Sequence, residues 1–211
     1  MVWSLAVDAL GNLVAPRACA ACDAPCPPRP IFCAPCAREV ELVPSGAPPS
    51  GIDTLMAGAR YGGAVAAALA RFKYRSRPDL AVPLAHLALR GGAAYPTGAT
   101  LVPVPLHPTR LVDRGYNQAA LLARALAAQG RARVTTGCLR RVACNVPQAQ
   151  LAGAARRANL TGVFLAVAAP AHVVLVDDVC TTGSTLRACA AALRRAGAAR
   201  VDAWVVALAD A

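Results

Sequence analysis

Two carboxylates, Asp177 and Asp178, are followed within seven residues by four hydroxyl side chains, Thr181, Thr182, Ser184 and Thr185, set around Gly183. Small residues leading into a helix leave backbone N–H groups free at the positive end of its dipole, a setting that suits phosphate. The hydroxyls add further hydrogen bonds. Adjacent carboxylates would repel that phosphate, so their partner is of another kind. Vicinal sugar hydroxyls or a Mg²⁺ ion both suit carboxylate oxygens. A ribose 5-phosphate with free 2′ and 3′ hydroxyls satisfies the whole set.

A second set lies near the start of the chain. Cys19 and Cys22, then Cys33 and Cys36, form two Cys-x-x-Cys knuckles separated by ten residues. Four thiolates at this spacing fit a tetrahedral structural Zn²⁺ site, with folding rather than catalysis as its role because no coordination position stays open. Pro25, Pro27, Pro28 and Pro30 exclude a helix between the knuckles. Cys26 lies off the pattern, as a spare thiol or a competing ligand. Redox chemistry at either pair is the lesser alternative.

The cations form a third set. Lys73 is the only Lys beside 21 Arg. A compact ammonium suits a phosphate, although Arg71, Lys73 and Arg75 also make an ordinary solvated end to a helix. Arg110 and Arg114 are placed to meet a pyrophosphate.

The elements that must position these groups follow from periodicity. Residues 173–176 read as a strand buried on both faces, followed by the acidic pair and then the small-residue loop. Leu186, Cys189, Ala190 and Leu193 set a helix from 185, closed by Gly197. Upstream, a strand is expected over 54–61 and helices over 64–74 and 79–90. The stretch 100–105 reads as a strand ended by prolines, 107–114 as a ligand loop, and 118–128 as a helix with Asn117 and Gln118 at its start. A strand or edge hairpin is expected over 134–142, a helix over 147–157, a strand over 159–167 and a last strand over 201–208. Alternating strands and helices give an α/β domain with a mainly parallel sheet. The linker expected over 44–51 separates an N-terminal helix and zinc element, 1–45, from the main domain, 52–211.

The 211 residues are 56% hydrophobic, enough for one full domain with a small appendage. No apolar run reaches transmembrane length. Residues 1–14 are expected to form a short amphipathic helix rather than a signal peptide, and the expected compartment is the cytoplasm. The net charge of +11 is uneven: residues 54–176 carry fifteen basic residues against Asp79 and Asp113, a net of +13. Such a segment attracts phosphorylated substrate, pyrophosphate or nucleic acid. Aromatic residues are only 4% of the chain, few for a single-strand stacking surface.

The acidic pair and Thr-Gly loop resemble the 5-phosphoribosyl-1-pyrophosphate (PRPP) motif of type I phosphoribosyltransferases. A longer ordered set is more specific: the Cys₄ knuckles, Phe72-Lys73-Tyr74, Val102-Pro-Val-Pro105, Arg114-Gly-Tyr-Asn-Gln118, Gln148, Arg156-x-x-Asn159, Gly162, Phe164 and Asp177-Asp-Val-x-Thr-Thr-Gly183. This set resembles the ComF family of phosphoribosyltransferase-like proteins along nearly the whole chain. The resemblance implies a type I phosphoribosyltransferase fold with an N-terminal zinc element, and PRPP and Mg²⁺ as ligands. By position, Thr181, Thr182, Gly183, Ser184 and Thr185 would hold the 5′-phosphate, and Asp177 and Asp178 the ribose hydroxyls or the metal. Many purine-base enzymes of the wider superfamily have an acid where this chain has Thr181, so the acceptor is left open.

The expected activity is transfer of a phosphoribosyl group from PRPP to an unidentified nitrogen acceptor, with Asp177, Asp178 and Arg114 as catalytic residues. Lys73 and Arg110 are expected at the pyrophosphate. The alternative is a competence-associated protein of DNA uptake and transformation that binds single-stranded DNA or protein partners without turnover.

Overall fold

The computed structural model describes residues 18–26, 31–43, 45–93, 98–130, 132–142 and 163–209. In chain order its elements are α1 (Ala34–Arg38), β1 (Ser45–Gly46), β2 (Leu55–Arg60), α2 (Gly63–Tyr74), α3 (Ala81–Arg90), β3 (Thr100–Pro103), α4 (Pro108–Arg114), α5 (Gln118–Gly130), β4 (Arg133–Val134), β5 (Leu139–Arg141), β6 (Phe164–Ala166), β7 (His172–Cys180), α6 (Ser184–Arg195) and β8 (Arg200–Leu208).

Six strands form one sheet in the order β1-β2-β8-β7-β3-β4. Its neighbours run parallel except β1 against β2. The two nine-residue strands β7 and β8 lie side by side in the interior. Their side chains alternate between two core layers, as strand geometry requires. Val174, Val176, Trp204 and Val206 join α2, α3 and α5 in one layer. Val173, Leu175, Val201, Ala203 and Val205 meet α6 in the other. Burial on both faces is why these strands read as unbroken apolar runs. Gly58 lets α3 lie directly on β2: a Cβ there would come 2.1 Å from the Ala88 Cα.

A small antiparallel sheet of β5 and β6 stands apart from the main one. Leu139 and Phe164 of this pair are buried in the α6 layer. At the other end of the chain, Cys19, Ala20 and Phe32 are buried in the same layer as α2 and α3. The cysteine element therefore shares the core of the main sheet.

The architecture is the expected one: a mostly parallel sheet flanked by helices, with a cysteine cluster near the N-terminus. Several local expectations need correction. The acidic pair does not follow the strand but belongs to it, because β7 continues to Cys180. The expected ligand loop over 107–114 is largely helix α4, started by Pro108 and capped by the His107 ring accepting from the Thr109 N–H. The helix expected from 79 begins instead as a 3₁₀ turn, Pro78–Leu80. The 134–142 stretch divides between β4, on the main sheet, and β5. The expected linker contains the edge strand β1. The expectations over 1–14 and 147–157, Pro44, Gln148, Asn159 and the turn at 161–162 lie outside the described residues. Among the described residues no helix is long and apolar enough to cross a membrane.

Candidate functional site

The loop after β7 is fixed by Gly183. It has φ +67°, and a Cβ there would come 2.4 Å from Pro49 Cγ, so only glycine fits both the backbone and the neighbouring chain. Gly183 is also the N-cap of α6, with no side chain capping the helix. Free N–H groups at that end are the feature that suits an anion. Thr182 Oγ1 donates to Ser184 Oγ at 3.2 Å and accepts weakly from the Ser184 N–H at 3.4 Å, which holds the turn in shape. Thr181 and Thr182 are exposed, and Ser184 and Thr185 partly so.

Asp177 and Asp178 are consecutive in a strand, so their side chains leave on opposite faces. Asp178 is buried, and its Oδ1 lies 3.0 Å from Lys73 Nζ. Lys73 is therefore not a solvated helix end. It projects from the last turn of α2 toward the carboxyl half of β7. Asp177 Oδ1 accepts from the Asp178 N–H at 2.9 Å. Burial, reinforced by the charge of Asp178, pushes the Asp177 carboxyl up to about 7.

The segment 114–118 packs against the end of α2. Arg114 stacks over the Tyr74 ring at 4.7 Å and donates to Gln118 Oε1 at 3.1 Å. The Tyr116 hydroxyl donates to the Phe72 carbonyl, and the two rings lie 5.9 Å apart. Asn117 caps α5 by accepting from the Ala119 N–H at 3.0 Å, and its amide donates to the Val104 carbonyl at 3.0 Å. Three stretches far apart in sequence, 72–74, 114–118 and 178, thus form one connected group. Arg110 is exposed on α4 and is not part of this hydrogen-bonded group.

Cys19, Cys22, Cys33 and Cys36 place their four sulfurs within 4.8 Å of one another. A tetrahedral Zn²⁺ with bonds of about 2.3 Å needs sulfurs about 3.8 Å apart, so the donor set fits a metal ion of that kind. The Cys33 backbone N–H donates to Cys19 Sγ at 3.3 Å, a bond between two members of the set that orients the Cys19 sulfur. Burial opposes a thiolate at Cys19, but N–H contacts from Cys33, Cys22 and Ala21 outweigh it and bring the pKa down to about 6. Cys26 is close enough to feel the Cys19, Cys33 and Cys22 charges, and burial also raises its pKa.

Sequence reasoning missed two features. Asp23, in the first knuckle turn, pairs with Arg71 on α2, and Arg77 Nη1 lies 3.8 Å from the same carboxylate. This links the cysteine element to the helix end that carries Lys73. The second is Arg141, whose guanidinium lies 5.5 Å from the Phe164 ring centroid. No local pattern marks either contact, because the partners are distant in sequence.

A family model described as phosphoribosyl transferase domain matches residues 165–211, which include β7, the loop and α6. The DNA utilization protein YhgH of Salmonella typhi is 35% identical over 143 residues, 64% of this chain and 63% of that protein. Its namesake in Escherichia coli K12 is also 35% identical over 143 residues, with the same coverage. Competence protein F of Haemophilus influenzae is 38% identical over 109 residues, 49% of this chain and 48% of that protein. The match thus spans less than two thirds of these relatives' length. The matched domain, the competence and DNA-utilization relatives and the N-terminal cysteine cluster together support a ComF-family, phosphoribosyltransferase-like protein.

Proposed function

We propose that the chain binds PRPP with Mg²⁺ and transfers its phosphoribosyl group to a nitrogen acceptor. The observation that carries this reading is the convergence of the Lys73–Asp178 pair on the strand that ends in the uncapped Gly183 loop. Thr181 to Thr185 would hold the 5′-phosphate, and Asp178 the ribose hydroxyls. In the transfer, the nitrogen lone pair forms a bond to C1, and the C1–oxygen bond breaks with its electron pair leaving on pyrophosphate. The acceptor's proton passes to solvent or a base. Mg²⁺ would supply charge neutralisation to the phosphates; Asp177, Asp178 and substrate oxygens are the hard donors it prefers. Arg114, fixed by Tyr74 and Gln118, and Lys73 are cations available to the developing negative charge. The zinc assigned to the four cysteines would be structural.

The test is calorimetric titration of the zinc-loaded protein with PRPP and Mg²⁺, repeated on Asp178→Ala. Micromolar binding lost in the variant supports the assignment. Affinity unchanged by the substitution overturns the role of Asp178.

The names of the relatives favour a second reading, a part in competence or DNA utilization through contact with single-stranded DNA or partner proteins. The basic segment 54–176 would then follow a phosphate backbone, and affinity would fall steeply with salt. Binding that stays constant between low and high salt counts against it.

A further inference from the structure

The last turn of α2 sends two aromatic side chains in opposite directions. Phe72 and Tyr74 lie about 200° apart around the helix. Phe72 is fully buried, whereas Tyr74 is 71% exposed, the most exposed aromatic residue among those described. The exposed ring is nonetheless fixed. The Arg114 guanidinium lies over it at 4.7 Å, and Gln118 Oε1 holds Arg114 at 3.1 Å. Gln118 is buried at the start of α5, so the stacked pair is anchored to the core. A stack organised in advance loses little freedom when a third planar group joins it.

The surroundings are basic and open. Arg75 follows Tyr74 and is exposed. Arg110 and Leu111 lie four and three residues before Arg114, on the same side of α4, and both are exposed. Among the described residues none of Arg75, Arg110 and Arg114 forms an ion pair with a carboxylate. Of the acids near them in sequence, Asp79 is taken by Arg77. Asp113, one residue before Arg114, leaves α4 in another direction. An exposed aromatic ring beside unpaired guanidinium groups complements a nucleobase with its neighbouring phosphates. A duplex hides its base faces, so the fit is to a single strand. Because the chain is poor in aromatic residues, this is a platform for one base and not a row of rings.

We propose that Tyr74, stacked on Arg114, is a base-stacking platform for single-stranded DNA, with Arg75 and Arg110 meeting the flanking phosphates. It deepens the second reading given above, contact with single-stranded DNA, and rests on that reading for its occupant.

The experiment is a fluorescence anisotropy titration of the zinc-loaded full chain against three labelled probes: an oligothymidylate of about 12 nucleotides, an abasic strand of the same length, and a duplex. Wild type is compared with Tyr74→Ala, Tyr74→Phe and Arg110→Gln, all at exposed positions. Wild type is expected to bind oligothymidylate at least about tenfold more tightly than the abasic strand. Tyr74→Ala should lose that preference with little change on the abasic strand, and Tyr74→Phe should keep it. Arg110→Gln should weaken both single strands alike and lower the salt slope by about 0.7. Equal wild-type affinity for oligothymidylate and abasic strand overturns the platform while the DNA reading stands, and needs no variant to fold. Tyr74→Ala weakening both strands equally also overturns it, since the ring would then act only by placing Arg114. Tighter binding of the duplex overturns it as well. Failure of the wild type to bind any probe at low salt removes the DNA reading and the platform with it.

Discussion

Lys73 Nζ lies 3.0 Å from Asp178 Oδ1, joining the last turn of α2 to the central strand across 105 residues of sequence. Both side chains are mostly buried, at 22% and 10% exposure. Removing one partner of such a pair leaves the other charge uncompensated, which costs about 3–5 kcal/mol. Lys73→Met is expected to lower stability by that order, and Lys73→Met/Asp178→Asn to recover most of it. Denaturant unfolding of the two single variants and the double variant reads the coupling. Additive effects would show that the pair has no energetic meaning.

Gly183→Ala should disable the loop. The left-handed φ of +67° costs a side chain about 1–2 kcal/mol, and the clash with Pro49 adds to that. Ribose 5-phosphate affinity is expected to fall by at least about tenfold, with a lowered melting temperature. A variant that binds normally would show that the loop conformation is unimportant.

Tyr116→Phe and Asn117→Ala test how the 114–118 segment is held. The first removes the hydroxyl bond to the Phe72 carbonyl and should cost about 1 kcal/mol. The second removes the cap of α5 and the tie to Val104, and should cost about 1–2 kcal/mol. Urea midpoints measure both, with unchanged m-values expected.

Two carboxylates should give opposite pH dependences in the ligand-free protein. The Asp177 carboxyl is raised to about 7 from 3.8, so the folded state favours its neutral form and stability is lost as pH rises through that interval. Asp177→Asn is therefore expected to raise the melting temperature, and to do so more at pH 8 than at pH 5.5, by at least about 2 °C. Asp53 is held below 3.8 by the Val201 N–H and by Arg194, so its contribution is present above that value and lost as pH falls below it. Asp53→Asn should destabilise at neutral pH and converge on wild type in acid. Equal shifts across the range would contradict both assignments.

Chelation of a metal held by the four cysteines should be felt at the proposed ribose site. The knuckle residue Asp23 pairs with Arg71, two residues before Lys73, and Cys19 is buried in the core that α2 shares. Removing the metal is expected to lower the melting temperature and weaken PRPP binding together. Asp23→Ala should weaken PRPP binding by a smaller factor while zinc content, read by atomic absorption, stays at one per chain. Full PRPP affinity after chelation would separate the two units.

Much of this protein is legible from short-range pattern. The apolar run 173–176, the small-residue loop, the 3.6-residue spacing after it and the paired knuckles are local features whose physics is local, so the mostly parallel α/β fold and the cysteine cluster follow from them. The end of β7 is not legible, because charged residues at a strand end look like a loop until the neighbouring strand is present to pair with them. The first turn of α4 is hidden for a similar reason: Pro and His next to each other mark a loop as readily as a helix start.

What only the tertiary structure decided is which charges meet. The sequence by itself determines that Lys73, Arg114, Arg141, Asp23 and Asp178 exist, and it accounts for the +13 excess of the middle segment. It cannot assign partners, since an ion pair or ring contact depends on distances set by packing of elements remote along the chain. Folding gives Lys73 to Asp178, Arg71 to Asp23 and Arg114 to Tyr74, and leaves Arg141 without an acid among the described residues.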